Sequence, residues 1–323
     1  MSELPKPPTA TVSAIYRAYE ANADTENRPH LGASLIGREC ERALWYTFRW
    51  AGSEKHEGRL LRLFERGQRE EAVFVANLRA IGCTVHEVDP ETGEQFRFTD
   101  VAGHMGGSMD AAALGVPEAP ATWHCCEFKT HNAKSFKALA DKGVAEAKPE
   151  HAAQMQLYMH WSDMNRALYL AVNKDNDELY SERLHYAKAQ AEALLEKARR
   201  IILADNPPAR LSERPEWYQC RWCSFHGICH GGKLPAVNCR TCAHATSELD
   251  GEGRWSCFRF KCDIDTATQR QGAQCPGHLF IPALVPLPQV DASESEGWIE
   301  YELSGGGVIR NGPGGVASIE FNL

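Results

Sequence analysis

The chain has 323 residues, a formal net charge of −8 at pH 7 and a hydrophobic fraction of 43%. These values are typical of a folded globular protein and exclude a wholly disordered or fibrous chain. The length predicts one main domain with a smaller satellite. The acidic balance argues against a protein that coats nucleic acid with a globally basic surface. It suits a carboxylate-lined metal site, because a bound divalent cation changes the local field that a phosphate meets.

The N-terminal sequence MSELPKPPTA lacks the basic-then-apolar order of a signal peptide, and no stretch approaches the ~20 apolar residues that cross a bilayer. We therefore expect a cytoplasmic protein with no membrane partner. Seven of the twelve cysteines fall between Cys220 and Cys262, and an eighth is Cys275. In a reducing compartment this clustering favours metal or cluster ligation over disulfides.

The first elements in chain order are an arm and two helices. Residues 1–30 are rich in Pro, Ala and Asn and are predicted to form a flexible N-terminal arm with a short helical patch at residues 15–19. Ser34 is the predicted N-cap of a helix that continues to Phe48, in which apolar residues recur with helical spacing. Residues 59–81 form a second predicted amphipathic helix.

The middle of the chain alternates between strand and helix patterns. Four strand-like segments, separated by Pro, Gly and Asp, are CTVHEV, EQFRFTD, GHMGGSMDAAAL and TWHCCEFKT. They precede a predicted helix at residues 150–161, a strand at 166–173 and a long helix at 186–203. This order predicts an α/β domain with a central mixed sheet.

Towards the C-terminus, cysteine, glycine and proline replace hydrophobic periodicity, which is typical of small folds held by metal ligands. We expect the main domain to span residues 31–232. A zinc-binding module is expected at 233–283, and a Pro-rich spacer with a small β-meander at 284–323. The meander is predicted from WIEYEL, VIRNGPGG and VASIEF.

One predicted strand carries a carboxylate and an ammonium side by side. In CCEFKT, Glu127 and Lys129 are two residues apart, so both project from one face and Phe128 from the other. Asp110 ends a segment able to pair as the neighbouring strand. Hydrolysis of a phosphodiester needs oxygen ligands for Mg²⁺ or Mn²⁺ and a positioned water. Asp110, Glu127 and the Phe128 carbonyl are the expected ligands, and Lys129 is expected to orient the water and stabilise charge on the phosphate.

This arrangement resembles the PD-(D/E)XK nucleases. Asp110 matches the motif aspartate, Glu127, Phe128 and Lys129 match E-x-K, and Met109 departs from the motif's proline. The resemblance implies a restriction-endonuclease-like core, a central mixed sheet flanked by helices, with a small cysteine-rich C-terminal module appended.

Two further family elements appear in order. The segment GQREE, which ends at Glu71, resembles the G-x3-H/E signature of RecB-like and lambda-exonuclease-like members. It implies a metal-binding role for Glu71, with Glu70 as the substitute. The segment from Gln154 to Tyr158 resembles the Q-x3-Y helix of RecB-like nucleases, and a spacing of four puts both residues on one helix face. The resemblance implies that they contact the DNA backbone or the catalytic lysine.

The first cysteine set is Cys220, Cys223 and Cys229, spaced C-x2-C-x5-C, with a distant Cys40. It resembles the iron–sulfur nucleases related to AddB and to the RecB-like exonucleases of CRISPR adaptation, in which one early cysteine joins three late ones on a 4Fe–4S cluster. Four thiolates suit either a cubane cluster or tetrahedral zinc, and the resemblance favours iron. His226 lies between the ligands and is an alternative donor.

The second cysteine set begins with Cys239 and Cys242, which have zinc-knuckle spacing. We expect Cys257 and Cys275 to complete a Zn²⁺ site, because the Gly-rich turn at 251–253 makes RWSC a natural second limb; the substitutes are Cys262 and His278. Three roles for this module remain open: binding DNA, binding a protein partner, or only stabilising the C-terminus.

The candidate phosphate contacts are Arg38, Arg42, His104, Lys134 and Lys137. Together the motifs predict a metal-dependent DNA exonuclease that acts on linear ends, including single-stranded ones, in phage recombination or DNA processing. A recombination or annealing protein is the expected protein partner. Two alternatives remain open: a structure-specific endonuclease, and a catalytically silent DNA-binding or regulatory protein.

Overall fold

The protein is described here by a computed structural model that covers residues 9–24, 26–52 and 55–321. Part of the predicted arm, residues 1–8 and Thr25, lies outside these described residues. Among the described helices, none combines the length and the apolar character needed to cross a bilayer. The helices are Ala10–Ala21 (α1), Glu41–Phe48 (α2), Gly58–Ala80 (α3), Ala133–Ala147 (α4), Pro149–Ser162 (α5), Lys188–Leu203 (α6), Tyr218–Arg221 (α7), His226–Cys229 (α8) and Thr266–Arg270 (α9).

The described strands form one five-stranded sheet and three smaller ones. They are Leu31–Gly32 (β1), Thr84–His86 (β2), Arg97–Asp100 (β3), Met105–Ser108 (β4), Ala111–Leu114 (β5), His124–His131 (β6), Arg166–Asn173 (β7), Leu179–His185 (β8), Ala245–Ser247 (β9), Trp255–Cys257 (β10), Cys262–Asp263 (β11), Gln289–Ser293 (β12), Trp298–Glu302 (β13) and Val308–Asn311 (β14).

The five-stranded sheet has the order β2-β5-β6-β7-β8, so β6 lies in its centre. β6 is antiparallel to β5 and parallel to β7, with Ala111 opposite Cys126 and Glu127 opposite Tyr169. A parallel pair needs a crossover connection, and α4 and α5 provide it. β7 reads RALYLAVN, the near-continuous apolar run expected of a strand that is covered on both faces.

The two faces of this sheet pack against different helices. On one face, Phe74 of α3 joins Cys126 and Phe128 in an apolar cluster, and the rings of Phe74 and Phe128 are stacked. On the other face, Cys125 belongs to the main core with residues of α2, α5 and α6. Because side chains alternate along a strand, Glu127 and Lys129 project towards the α5 side.

The segment GHMGGSMDAAAL forms two strands, where the sequence predicted one. β4 pairs with β1 and β3 in a separate sheet, whereas β5 joins the central sheet. The chain passes from one sheet to the other at Met109 and Asp110, and Met109 N donates to Phe96 O at 3.1 Å. Asp110 therefore lies at the junction of the two sheets, beside β6.

The predicted helices at 59–81 and 150–161 and the predicted strand at 166–173 are confirmed as α3, α5 and β7. The predicted N-cap is wrong: α2 begins at Glu41 with Cys40 as N-cap, because a hydrogen-bonded turn from Leu35 O to Arg38 N (2.9 Å) comes first. α1 is longer than the predicted patch, and Glu20 at its end accepts from Gly58 N (2.7 Å) at the start of α3.

Three further differences concern elements that lack a clear sequence signal. α4 and β8 are absent from the sequence-based prediction. The meander consists of β12, β13 and β14, whereas VASIEF contains a short 3-10 helix, Ser318–Glu320, in place of the predicted strand.

A buried arginine joins the cysteine-rich module to α2. Arg240, which lies between Cys239 and Cys242 in sequence, is 1% exposed. Its guanidinium lies 3.8 Å from the ring centroid of Trp50 and donates to Phe48 O (2.9 Å) and Pro29 O (2.8 Å). Burial lowers the pKa of Arg240. Its cationic form is stabilised by ring faces and carbonyl oxygens, with no carboxylate among its hydrogen-bond partners in the described part of the chain.

We expect Arg240→Met to lower the free energy of unfolding by about 2–4 kcal/mol, because it leaves buried carbonyls without donors and removes a desolvated cation–π contact. Urea denaturation of both proteins measures the difference. Arg221→Met is the matched control, since Arg221 also lies over a tryptophan, Trp222, but at the exposed surface. Equal losses in the two variants would contradict the assignment.

Candidate active site

The backbone of Phe128 ties the three predicted catalytic side chains together. Phe128 N donates to Asp110 Oδ2 at 2.8 Å, and Lys129 Nζ donates to Phe128 O at 3.0 Å. Lys129 also forms an ion pair with Glu127, whose side chain is fully buried. The predicted meeting of Asp110, Glu127 and Lys129 is therefore present.

Burial dominates the electrostatics of this cluster. It raises the pKa of Glu127 to about 7, with Lys129 opposing the shift and Asp110 adding to it. Burial also raises the pKa of Asp110, against the opposing effects of Lys129 and of the Phe128 N–H. For Lys129, burial lowers the pKa, but the combined attraction of Glu127, Asp110 and Glu71 outweighs it and the net shift is upward. The cluster holds more carboxylates than cations.

Glu71 is the fourth member of the cluster. Burial and then the nearby Asp110 carboxylate raise the pKa of Glu71, while Lys129 lowers it. The substitute residue, Glu70, does not enter the electrostatic surroundings of Asp110, Glu127 or Lys129. The site therefore favours Glu71 over Glu70 as the acidic residue that α3 contributes.

Gln154 and Tyr158 lie on α5 above the same face of the sheet. Gln154 Nε2 donates to Tyr158 Oη at 2.9 Å, and both side chains are buried. The Tyr158 ring fits against Gly107, where an added Cβ would lie 2.9 Å from a ring carbon, so a larger residue would push the ring away. Burial and then the Glu127 carboxylate raise the pKa of Tyr158, which places its hydroxyl in the field of the cluster.

The donor set fits a hard divalent cation. Carboxylate and carbonyl oxygens are the ligands that Mg²⁺ and Mn²⁺ prefer. Both Glu127 oxygens are buried without a hydrogen bond of good geometry, and the ion pair with Lys129 is the contact that the structure gives them. Within the described ranges, no group of three His, Cys, Asp or Glu side chains is arranged to hold a metal as it stands. Binding would therefore require these side chains to turn towards the ion.

The predicted phosphate contacts have different outcomes. His104 is fully buried, its Nε2 lies 2.8 Å from Glu248 O, and its ring packs against Phe48 and Trp255. It belongs to the core and cannot contact DNA there, so that prediction was wrong. Arg42 is also directed elsewhere: it donates to Tyr46 Oη and to Pro208 O and lines the first cysteine cavity.

The other three predicted phosphate contacts remain accessible. Arg38 is half-buried and forms an ion pair with Glu150 at 3.6 Å. Lys134 and Lys137 are exposed on α4, directly after β6, and Lys137 pairs with Asp141 one turn along the helix. The structure leaves the DNA-contact prediction for these three open.

The first cysteine set lines one small cavity of ≈ 40 Å³, to which Cys40, Cys220, Cys223 and Cys229 all contribute. Burial and then Cys40 and Cys229 raise the pKa of Cys220, so the early cysteine lies close to the late ones. The alternative donor, His226, has its Nε2 3.3 Å from Pro215 O, so this nitrogen already has a hydrogen-bond partner. Four thiols around one cavity are a suitable donor set for a cubane cluster or for zinc.

The second cysteine set surrounds a cavity of ≈ 290 Å³, which is lined by Cys239, Cys242, Cys257, Cys262, Cys275, His244 and His278. Burial, and then the other four cysteines, raise the pKa of Cys239 to about 12. Cys262 is directly opposite Cys257 in the β10–β11 pair. His278 Nε2 lies 3.0 Å from Asn238 O. The four predicted thiols line one cavity and are of the donor type that zinc takes, but in the described residues they are not arranged to hold a metal as they stand. Cys262, which lines the same cavity, stays the substitute.

Sequence reasoning missed three polar residues beside the acidic cluster: His131, His151 and Tyr169. His131 is on the same face of β6 as Glu127 and Lys129, at the next period-two position. His151 precedes Gln154 by three residues on α5, and Tyr169 is opposite Glu127 on β7. The spacing of His131 and His151 was visible in the sequence, whereas the pairing of Tyr169 with Glu127 depends on the sheet register.

Comparisons with known proteins give structural similarity at low sequence identity. No family model and no curated protein matches the chain. The solved structure of the protein SSO0001 is similar over 69% of this chain and 97% of its own, with a TM-score of 0.39 and 16% identity. The solved structure of LHK-Exo in complex with dAMP is similar over 58% of this chain and 90% of its own, with a TM-score of 0.38 and 15% identity.

A second structure of LHK-Exo, an alkaline exonuclease from Laribacter hongkongensis, covers 57% of this chain and 90% of its own, with a TM-score of 0.38 and 14% identity. All three TM-scores lie below 0.5.

The raised pKa of Glu127 predicts a pH-dependent response to metal. Because its folded pKa is about 7 and its ordinary value is 4.5, Glu127 favours the folded state below the ordinary value and loses that contribution as the pH rises through about 7. A divalent cation binds the carboxylate form and competes with the proton. We expect Mn²⁺ to raise the thermal unfolding midpoint more at about pH 7.5 than at about pH 5.5.

Differential scanning fluorimetry with and without Mn²⁺ measures this response. Glu127→Gln cannot ionise and should abolish most of the pH dependence. Glu192→Gln, an exposed residue on α6, should retain the wild-type response. A wild-type Mn²⁺ shift that is the same at both pH values would show that Glu127 is not a ligand.

Proposed function

We propose that this chain is a metal-dependent DNA exonuclease that hydrolyses phosphodiester bonds at DNA ends. One observation carries the proposal: Glu71, Asp110 and the buried Glu127 share one electrostatic environment with Lys129, next to the backbone of Phe128. Carboxylates that gather around one lysine are costly without a counter-ion. A divalent cation balances that charge and can in turn bind a phosphate oxygen, which supports phosphodiester hydrolysis.

The proposed roles follow from the donor types. Mg²⁺ or Mn²⁺, held by Glu71, Asp110, Glu127 and the Phe128 carbonyl, would supply Lewis-acid polarisation of the phosphate and a more acidic water. Lys129 orients the attacking water and offsets the charge that develops on the phosphate oxygens. Asp110 is held in position by the Phe128 N–H. Gln154 and Tyr158 present polar groups from α5 to the DNA backbone.

A cleft of ≈ 890 Å³ supports the proposal that the protein cleaves DNA from its ends. It is bounded by α1 and α3 and by the segment at residues 26–38, where Arg28, Ser34 and Arg38 offer donors to phosphates. Gln68, which also lines it, precedes Glu71 by one turn of α3. The cleft therefore shares α3 with the acidic cluster, and we propose that it guides the end of a single strand towards that cluster.

The cysteine sets are proposed to be structural. Cys40 joins Cys220, Cys223 and Cys229 on a 4Fe–4S cluster that clasps the N-terminal part of the domain to its end. Cys239, Cys242, Cys257 and Cys275 hold one Zn²⁺ that stabilises the C-terminal module. The shared cavity of each set supports these assignments.

End-labelled linear DNA and closed circular DNA, each incubated with the protein and Mn²⁺, test the function. We expect degradation of the linear form only. Asp110→Asn, Glu127→Gln and Lys129→Ala should each reduce turnover by at least about 10³-fold, because each removes a metal or water interaction made in the transition state. Nicking of the circle would indicate an endonuclease, and binding without cleavage a silent DNA-binding protein; either result overturns the proposal.

The control for these variants is an exposed pair on α6, Lys188 and Glu192. Lys188→Ala and Glu192→Gln should cleave at the wild-type rate. Circular dichroism and unfolding curves should show that all variants are folded. Near-native turnover in any of the three site variants would mean that the active site lies elsewhere.

Metal analysis separates the two cysteine sets. We expect about four iron atoms and about one zinc per chain after purification without chelators. Cys40→Ala should lose the iron and its visible absorbance and keep the zinc, whereas Cys257→Ala should lose the zinc and keep the iron. Cys83→Ala, which removes a buried cysteine outside both sets, should keep both. Zinc in place of iron at the first set would correct that assignment, and an iron content unaffected by Cys40→Ala would remove Cys40 from it.

A further inference from the structure

A chain of five hydrogen-bonded side chains runs beside the acidic cluster. Lys148 Nζ donates to Ser135 Oγ (2.6 Å), and Ser135 Oγ lies 3.1 Å from His131 Nδ1. His131 Nε2 lies 2.8 Å from Tyr169 Oη, which in turn lies 2.9 Å from His151 Nδ1. The rings of His131, Tyr169 and His151 are stacked, with interplanar angles of 25–27°. None of these five side chains has a role in the proposed mechanism.

Lys148 fixes the direction of every hydrogen bond in this series of five side chains. An ammonium can only donate, so Ser135 Oγ accepts from it and turns its own proton to His131 Nδ1. His131 then carries its proton on Nε2 and donates to Tyr169. Tyr169 has one proton and donates it to His151 Nδ1. His151 is thereby set in the tautomer that carries its proton on Nε2.

Both imidazoles are held in the neutral form. Burial, and then the Lys148 ammonium, lower the pKa of His131 to about 4. Burial, and then the Lys129 ammonium, lower the pKa of His151 to about 3. A neutral imidazole with one occupied acceptor nitrogen is a directional hydrogen-bond donor through the other nitrogen.

His151 Nε2 is placed to use that proton at the acidic cluster. The residue is half-buried, and no partner for its Nε2 is found among the described residues. It lies on α5 one turn before Gln154 and in the field of Lys129, while Tyr169 behind it is opposite Glu127. The donor is therefore beside the acidic cluster, on the helix that also carries Gln154 and Tyr158, which bond to each other.

We propose that His151 is a further catalytic residue, which donates a hydrogen bond from Nε2 to an oxygen of the DNA phosphate at the acidic cluster. Tyr169, His131, Ser135 and Lys148 are positioning residues that hold it in this tautomer and orientation. The inference rests on the proposed nuclease function. It adds a neutral donor to the charged groups already assigned, on the side of the site that α5 covers.

Cleavage rates of a matched variant series test the role of His151. His151→Ala should lower kcat by about 10²-fold at saturating DNA, the usual effect of losing one donor to a transition-state oxyanion. Gln places an amide N–H near the position of Nε2, and Asn near that of Nδ1, so His151→Gln should recover at least tenfold over His151→Asn. Tyr169→Phe should lower kcat by about tenfold through loss of orientation.

α5 offers a matched control in a second histidine–tyrosine pair. His160 Nδ1 lies 2.7 Å from Tyr186 Oη near the end of the same helix. His160→Ala and Tyr186→Phe should keep the wild-type kcat. A folded His151→Ala protein that cleaves at the wild-type rate, or a His160→Ala loss equal to that of His151→Ala, overturns the proposal.

The tautomer can be measured without any cleavage. Long-range ¹H–¹⁵N NMR spectra should show His151 protonated on Nε2 in the wild type and a mixture of tautomers in Tyr169→Phe. A wild-type His151 protonated on Nδ1 overturns the inference. If the wild type cleaves no DNA at all, the nuclease proposal fails and the phosphate contact fails with it, while the NMR result separately decides whether the chain of hydrogen bonds exists.

Discussion

A fully buried carboxylate in the middle of β6 governs the arrangement of the site. Removing an ionised glutamate from water costs several kcal/mol unless a charge partner or a proton compensates. Glu127 has the Lys129 ammonium as its partner, yet its pKa still rises to about 7. The folded chain therefore holds a carboxylate that is close to protonation at neutral pH, and a divalent cation would relieve that cost directly. Stability and the proposed metal binding therefore depend on the same residue.

The sheet register explains why sequence reasoning found part of this site. The period-two alternation of a strand is local, so Glu127 and Lys129 could be placed on one face from CCEFKT alone. The position of Asp110 depends on the break between β4 and β5 and on a hydrogen bond from Phe128 N. Both are set by tertiary pairing, which local periodicity does not reveal. His104 shows the opposite error: a polar residue near a motif was predicted to contact DNA, whereas tertiary packing against Phe48 and Trp255 buries it.

Two buried arginines show how the cysteine-rich module becomes part of the main core. Residues of both regions, including Phe48 and Trp255, lie in one hydrophobic cluster. Arg49 and Arg240 pass through this cluster and donate to carbonyl oxygens such as Ala204 O and Phe48 O. Each guanidinium binds neutral carbonyl oxygens and packs on aromatic ring faces. Its position therefore depends on the geometry of these contacts and not on an ion pair with a carboxylate. The sequence shows zinc-knuckle spacing around Arg240 but gives no sign that this residue reaches back to α2.

α2 connects the two cysteine sets mechanically. Its N-cap is Cys40, which lines the first cysteine cavity, and its C-cap is Arg49, whose guanidinium lies 3.4 Å from Arg240 O inside the second set. Between these ends, Leu44 and Trp45 are fully buried, so the helix cannot shift at one end without disturbing the core. A change at either cysteine set therefore acts on the same helix. The segment at residues 33–38, which leads into that helix, borders the cleft proposed to guide DNA. The cysteines proposed to be structural thus have a physical route to the proposed active site without any contact with the reacting atoms.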